Sequence, residues 1–358
     1  MRMQKVPGET LTPRTRTRQQ DRDNMSLSPP CTSTAYAPSA LEREWFASSA
    51  HNRICNLNAA QLQLSVDGWL KYASRPNAGV VAPREGEEQQ AISAIRCNDA
   101  NAPTQYYLEP LTGMARHPLA RVGCRRLPSH LHPVAVNTTS HLIPTNRCNA
   151  PPYARSILFD VGTGGPPEGR HARYEACVAK HRARNDLTRE RMCQSIYVRG
   201  RASLPFWFSW YERRCIRFDR VFAWEREFHE PQAWWATLRP ERRMKVSFYN
   251  VKVDMEPALQ ANQTSVLRWL RGMAAPDDFV VLKLDIDHSP TELSIVEAIA
   301  EDASLAALVD ELWFEYHFRF DVGVEFGWKQ SHFNRTVDDA LRLMGRLRSR
   351  GIRSHFWI

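Results

Sequence analysis

A regular alternation of strand-length apolar runs and helix-length segments begins at Ser156 and continues to the last residue. Strands are predicted at 156–161, 219–224, 246–253, 279–286, 310–317 and 351–358. Helices are predicted at 203–214, 231–238, 263–273, 290–301 and 336–349. Such an alternation is typical of βαβ units, and nearly continuous apolar strands indicate a sheet that is buried on both faces. The sequence therefore predicts a Rossmann-like α/β domain over 153–358, with a mostly parallel sheet flanked by helices and an insertion at about 166–202.

The residues before this alternation have a different character. Residues 1–40 are rich in Pro, Ser, Thr and Arg and lack an apolar period, which predicts a disordered basic tail, although a transit-like leader has the same charge pattern. Residues 41–152 predict a loop-rich, partly helical extension. Within it, helical spacing covers 41–73, a short helix is expected near Gln89–Ile95, and 106–119 is expected to be ordered against the main domain.

The formal net charge of +9 is spread along the chain among acidic residues. No RNA-binding motif, zinc finger or basic helix accompanies it, so nucleic acid is not the expected partner. The sequence has no membrane-length apolar run and no secretory signal, which predicts a soluble protein without a membrane span. The cytoplasm is favoured as its compartment, with the secretory lumen or an organelle left open.

All eight cysteines lie in the first 215 residues, and none forms a C-x-x-C pair. A structural zinc site is therefore not expected. Their spacing is irregular and the chain is large, which predicts free thiols as the default state.

The first predicted strand ends in a glycine-rich turn that runs from Asp160 through Gly162 and Gly164. Glycine lets the backbone turn tightly and approach a ligand, and an adjacent acid can accept hydrogen bonds from an ammonium or a hydroxyl group. The full G-x-G-x-x-G pattern is absent because prolines follow at 166 and 167. The turn fits a ligand site, and it equally fits an ordinary tight turn.

The second predicted strand ends in Glu225. An acid at this place can hold the two ribose hydroxyls of a nucleoside cofactor. The alternative is a surface glutamate without a ligand, since Glu227 and Glu230 follow closely.

Acidic residues also follow the fourth and fifth predicted strands. Asp285 and Asp287 are two residues apart, as are Glu315 and His317, and residues at this spacing share a face of a strand. Adjacent strands would bring all four side chains to one edge of the sheet. Carboxylates with an imidazole can hold a divalent metal or carry out acid–base chemistry. Alternatively they cap helices and accept hydrogen bonds from loop amides, and the leading prediction includes no metal ion.

Four segments carry a resemblance to a known family: LFDVGTGG (158–165), RFDRVFAWE (217–225), FVVLKLDID (279–287) and LVDELWFEYHF (308–318). Together they resemble the FkbM-type S-adenosylmethionine-dependent methyltransferases, in a divergent branch of algal and plant-like proteins. The resemblance implies a class I methyltransferase fold with S-adenosyl-L-methionine as the cofactor. It implies cofactor contacts from Asp160, Gly162 and Gly164 at the methionine end and from Glu225 at the ribose. Asp285 would lie at the edge of the active site.

The chain also departs from the family pattern. About 38 residues separate the glycine turn from the next predicted helix, where an ordinary member continues almost directly into its helix. Asp287 stands where the family motif has Glu, and His288 replaces the glycine that follows it. These departures leave the predicted fold unchanged, but they count against cofactor binding and catalysis.

The sequence thus predicts methyl transfer to an oxygen of a small hydroxylated or sugar-like acceptor, with Asp285, Asp287 and His317 as the candidate catalytic residues. One alternative is a catalytically inactive binding or scaffold protein with the methyltransferase fold, which the insertion suggests. Another is a metal-dependent enzyme that uses the acids and the histidine at the strand ends. The sequence indicates no oligomeric state.

Overall fold

In the computed structural model, the described part of the chain comprises residues 34–47, 68–69, 71–73, 75, 78–79, 81, 92–98, 105–111, 142–148, 153–164, 179–180, 204–256, 264–317 and 335–357. Its strands are β1 (Thr34–Ala37), β2 (Ser93–Cys97), β3 (Gln105–Leu108), β4 (Ser156–Val161), β5 (Arg220–Trp224), β6 (Val246–Tyr249), β7 (Phe279–Leu284), β8 (Glu311–Phe314) and β9 (Arg353–Phe356). Its helices are α1 (Ala40–Ala47), α2 (Leu204–Glu212), α3 (Pro231–Ala236), α4 (Pro240–Arg243), α5 (Val266–Met273), α6 (Ser289–Glu301), α7 (Ala303–Ala306) and α8 (Val337–Ser349).

Strands β4 to β9 form one sheet in the order β6-β5-β4-β7-β8-β9, and every pair in it is parallel. Each of the six strands predicted for the main domain is present. The predicted α/β class, with a parallel sheet flanked by helices, is confirmed. Apart from residues 179–180, the predicted insertion at about 166–202 lies outside the described residues.

Side chains of the sheet alternate between two buried layers. In β4, Ile157 and Phe159 belong to a layer that includes α5, α6 and α8, whereas Leu158 packs with α2 on the other face. The second layer is largely aromatic, and Trp210 of α2 lies 4.9 Å from Trp313 of β8 between ring centroids. Burial of both faces explains why these strands are apolar almost throughout.

Polar side chains mark the starts of the flanking helices. Ser265 precedes α5 and accepts a hydrogen bond from the backbone of Arg268 at 3.2 Å. Thr336 and Asp339 exchange hydrogen bonds at the start of α8, which forms a capping box. No helix within the described ranges has both the length and the apolar character needed to cross a membrane.

The order of the strands reverses between β4 and β7. From β4 the chain proceeds outward to β5 and β6, whereas from β7 it proceeds in the other direction to β8 and β9. In open α/β sheets, ligands bind outside the carboxyl ends of the strands at this point of reversal. The turns after β4 and β7 therefore lie where a ligand is expected.

Strands β1, β2 and β3 form a separate antiparallel sheet. Two predictions for this region are wrong. Residues 34–37 belong to a strand and not to the disordered tail predicted over 1–40, and residues 93–97 form a strand where a short helix was expected near Gln89–Ile95. Pairing of β2 with a strand on either side outweighs its local helical pattern, because strand formation depends mainly on cross-strand packing. Residues 1–33 lie outside the described part of the chain.

Buried polar groups join this small sheet to the large one. Arg348 of α8 donates hydrogen bonds to the backbone oxygens of Glu109 at 3.0 Å and Ser354 at 2.9 Å. His355 of β9 lies between the carboxylates of Glu109 and Glu311. Burial acts to raise the pKa of Glu109, but His355 and Arg348 outweigh it and lower that pKa to about 2. The segment 106–119 was predicted to be ordered against the main domain. Its described residues, 106–111, contact that domain through Glu109.

The described cysteines are oxidised. Cys148 and Cys215 form a disulfide with their Cα atoms 4.9 Å apart, and Cys97 is also disulfide-bonded. The prediction of free thiols is wrong for these three residues. The two partners of the first bridge are 67 residues apart in sequence, and the hydrogen bond from the backbone of Arg147 to that of Arg214 brings them together.

Candidate functional site

The turn after β4 lies directly against the turn after β7. Gly162 has a φ of +86°, and a Cβ atom at this residue would lie 1.6 Å from the backbone oxygen of Asp285. The amides of Gly162 and Thr163 both donate to the backbone oxygen of Trp224, at 2.9 and 3.0 Å. Only glycine tolerates both the positive φ and the close approach. The glycine turn is therefore locked between β5 and β7.

A buried lysine lies beneath this turn. Lys283 of β7 places its ammonium 3.4 Å from Asp160 and 3.6 Å from Asp285, and it donates a hydrogen bond to the backbone oxygen of Gly162. Burial acts to lower the pKa of Lys283, but the two carboxylates outweigh it and raise that pKa. Burial raises the pKa of Asp160 to about 6, and the nearby Lys283 ammonium limits the rise.

Sequence reasoning assigned no role to Lys283, although one signal was present. A charged residue in the middle of an otherwise apolar buried strand is expected only where a partner compensates its charge. Asp160, which was predicted to contact the cofactor, is fully buried and faces Lys283. Its position makes it a residue that holds the turn in place.

Glu225 lies against the glycine turn. Its carboxylate accepts hydrogen bonds from the backbone amides of Gly164 at 3.0 Å and Glu227 at 2.9 Å. Gly164 also has a positive φ, +69°. The amide of the Asn250 side chain donates to the backbone oxygens of Glu225 and Glu227, which fixes the loop after β5. The carboxylate is thereby oriented, and an ionised carboxylate still has lone pairs for further donors.

A small cleft lies beside Glu225 at the carboxyl ends of β5, β6 and β7. It is lined by Trp224, Glu225, Arg226, Val251, Lys252, Val253, Ile286 and His288. Apolar walls with a few polar groups at the rim are typical of small-molecule sites.

Three of the four residues predicted to gather after β7 and β8 come together. Asp287, Glu315 and His317 each offer one ligand atom, and these atoms lie within 4.8 Å of one another. Glu315 and His317 are buried, with Oε2 and Nε2 3.7 Å apart, whereas Asp287 is exposed. This set is called the trio below.

Asp285 is not a member of the trio, which corrects the prediction that it projects together with Asp287. Strand β7 ends at Leu284, and Asp287 has a φ of +55°, so the side-chain alternation of a strand does not extend through these residues. The carboxylate of Asp285 instead accepts a hydrogen bond from the indole of Trp357 at 3.2 Å and lies near Lys283. Its side chain is 22% exposed, so it can reach a ligand at the point of strand reversal.

Glu292 completes the neighbourhood of the trio and was missed in the sequence. It belongs to the first turn of α6 and is fully buried. Its Oε1 accepts a hydrogen bond from the amide of Ile286 at 2.8 Å, and its Oε2 lies 3.5 Å from Nε2 of His317. Burial, and the nearby charge of Glu315, raise the pKa of Glu292 well above its usual range. Nothing in the local pattern distinguishes it from other helix-start acids.

His288 precedes α6 and caps it. Its side chain accepts a hydrogen bond from the backbone of Thr291, and its Nδ1 lies 2.8 Å from the Thr291 hydroxyl. The imidazole also lines the cleft. His288 therefore stabilises the start of α6 and also lines the cleft.

Comparison with known proteins finds a family model that matches part of the chain. The model of a domain of unknown function, DUF7870, matches residues 208–358, which are less than half of the chain. The match includes Glu225, Asp285, Glu292 and the trio, and it begins after the glycine turn. No curated protein and no solved structure matches the chain.

Proposed function

We propose that this protein is an S-adenosylmethionine-dependent methyltransferase that methylates a hydroxyl oxygen of a small, hydroxylated or sugar-like acceptor. The observation that carries the proposal is the cleft at the carboxyl ends of β5, β6 and β7, with Glu225 at its rim and the glycine turn beside it. This is the place where an open α/β sheet binds a nucleoside cofactor. The resemblance of its strand-end motifs to the FkbM-type family supports the same cofactor.

The cleft suits the adenosine part of the cofactor. Val251, Val253 and Ile286 supply apolar contacts for a base, and Glu225 lines the cleft with its carboxylate held by two backbone amides. Ribose hydroxyls donate hydrogen bonds, and a carboxylate that is already oriented by two amides loses little freedom when it accepts them.

The methionine part of the cofactor would lie over the glycine turn. Gly162 and Gly164 have no side chain to exclude it, and Asp160 with Lys283 holds their backbone in position. The bound cofactor supplies a methyl group on a positively charged sulfur. A site with several carboxylates favours such a cation.

Asp285 is the residue best placed to take the proton of the acceptor. It is partly exposed at the point of strand reversal, and the indole of Trp357 orients its Oδ2. The ammonium of Lys283, 3.6 Å away, favours the ionised carboxylate, which is the form that accepts a proton. Asp285 would therefore receive the hydroxyl proton on a carboxylate oxygen while the cleft holds the reactants in line.

Calorimetric titration of the full chain with S-adenosylhomocysteine tests the proposal. We expect binding by the wild-type chain and an affinity at least ~10-fold lower for Glu225→Gln, because a hydrogen bond to a charged group contributes roughly 1.5–3 kcal/mol. Glu227→Gln is the matched control, since it keeps the backbone amide of Glu227 that donates to the Glu225 carboxylate. A folded wild-type chain that binds neither S-adenosylhomocysteine nor S-adenosylmethionine would overturn the proposal and favour a scaffold role.

A further inference from the structure

The trio of Asp287, Glu315 and His317 has the spacing of ligands around a single ion. Bonds from a divalent cation to oxygen or nitrogen measure roughly 2.0–2.6 Å, so two ligands of one ion lie up to about 4–5 Å apart. The ligand atoms of the trio all lie within 4.8 Å of one another. One ion between them therefore needs no rearrangement of the backbone.

A second observation points to a ligand in the same place. Glu292 is fully buried, and within the described part of the chain its Oε2 has no hydrogen-bond partner. That oxygen lies 3.5 Å from Nε2 of His317 and so faces the trio. A buried carboxylate oxygen without a hydrogen bond is costly unless something else stabilises it.

The charges around the trio favour a cation. Among the residues that the structure describes, Asp287, Glu292 and Glu315 place three carboxylates around a single imidazole. The ammonium of Lys283 lies nearest to Asp160 and Asp285, and its charge also acts on Glu315. Carboxylates gathered in a buried site repel one another unless a proton or a cation lies between them.

We propose that Asp287, Glu315 and His317 bind one divalent transition-metal cation, Mn²⁺ or Zn²⁺, with Glu292 beside it as a further carboxylate. Imidazole favours Zn²⁺ and related metals, whereas carboxylates also accept Mn²⁺, so the mixed set selects these ions over Mg²⁺ and Ca²⁺. The exposed Asp287 leaves the ion open to solvent on one side. An open coordination position distinguishes a reactive metal site from a purely structural one.

The cation would also define the acceptor more closely, and this step rests on the proposed methyltransferase function. A hydroxyl group bound to a divalent cation loses its proton more readily. An acceptor with a second oxygen next to that hydroxyl, such as a diol, would bind the ion through both oxygens. Asp285, which lies in the same turn as Asp287, would then receive the proton.

Titration of the full chain with Mn²⁺, followed by the electron paramagnetic resonance signal of the free ion, tests the site directly. We expect one Mn²⁺ per chain and its displacement by Zn²⁺. Asp287→Asn should weaken Mn²⁺ binding at least ~10-fold, which is the lower limit of what even an outer-shell substitution costs. Asn tolerates the left-handed backbone at this residue, so the variant keeps its fold. His317→Gln should weaken Zn²⁺ binding more than Mn²⁺ binding.

Asp277→Asn provides the control, because Asp277 is an exposed aspartate at the other end of β7. It should bind Mn²⁺ like the wild-type chain. Absence of Mn²⁺ and Zn²⁺ binding would overturn the proposal. Binding that survives both Asp287→Asn and His317→Gln would overturn it as well. Binding of Mn²⁺ by a chain that does not bind S-adenosylhomocysteine would keep the metal site and contradict the methyltransferase.

Discussion

The backbone oxygen of Asp285 occupies the space that a side chain on residue 162 would need, since a Cβ atom on Gly162 would lie 1.6 Å from it. The two turns at the centre of the large sheet are therefore in direct contact. The amide of Asp285 also donates to the backbone oxygen of Val161 at 3.0 Å. A change on one side of this contact is transmitted to the carboxylate proposed as the base.

Gly162→Ala should destabilise the protein by at least about 3 kcal/mol, because it combines backbone strain with overpacking. Gly345→Ala is the matched control: Gly345 lies within α8, and its Cβ would meet nothing within 4 Å. That change should stabilise the protein by about 0.5–1 kcal/mol. Urea denaturation measures both. Equal stability of the two variants would show that the turns do not touch.

The Asp160 carboxyl should make stability depend on pH. Its pKa is about 6 in the folded chain and ~3.9 in an unfolded one, so between these values the folded state binds more protons. The free energy of unfolding should therefore fall as the pH rises from about 4 to 6, by up to about 3 kcal/mol. Asp160→Asn should lack this component. Urea denaturation of both proteins from pH 4 to 7 is the test, and parallel curves would contradict the prediction.

The disulfide between Cys148 and Cys215 should contribute substantially to stability. It joins residues 67 apart in sequence, for which loop closure in the unfolded chain corresponds to about 4 kcal/mol. We expect a comparable loss in the free energy of unfolding for the double variant Cys148→Ser with Cys215→Ser. Peptide mapping without reductant should identify the bridge in the wild-type chain. Recovery of both cysteines as free thiols in that map would refute the prediction.

Arg348 should be required for attachment of the small sheet. It is fully buried and lies 4.0 Å from the carboxylates of both Glu42 and Glu109, so Arg348→Met leaves buried charges uncompensated. Loss of one partner of a buried ion pair costs roughly 3–5 kcal/mol. Arg346→Met, on the exposed face of the same helix, should change stability by less than about 0.5 kcal/mol. Limited proteolysis should release the N-terminal region only from the Arg348 variant; equal resistance of both variants would argue against this role.

The positions of the main-domain strands and helices were readable from the sequence because they follow from local patterns. Each apolar run from 156–161 onward became a strand, and the helical periods between them became helices. The same local reasoning failed at 93–97, where the strand exists through its pairing with β1 and β3. It also missed the bridge from Cys148 to Cys215, whose partners meet only in the folded chain.

The sequence by itself therefore determined the α/β class, the glycine turn and which acids follow which strand, since all three depend on neighbouring residues. Tertiary structure decided which of those acids meet. The parallel register of β4 and β7 places Lys283 between Asp160 and Asp285. Asp287, whose backbone is left-handed, lies beside Glu315 and His317. Glu292 joins them from α6. Charged residues that are far apart along the chain become partners only when packing brings them together and removes the water between them. No local sequence pattern encodes the distance between such charges in the folded chain.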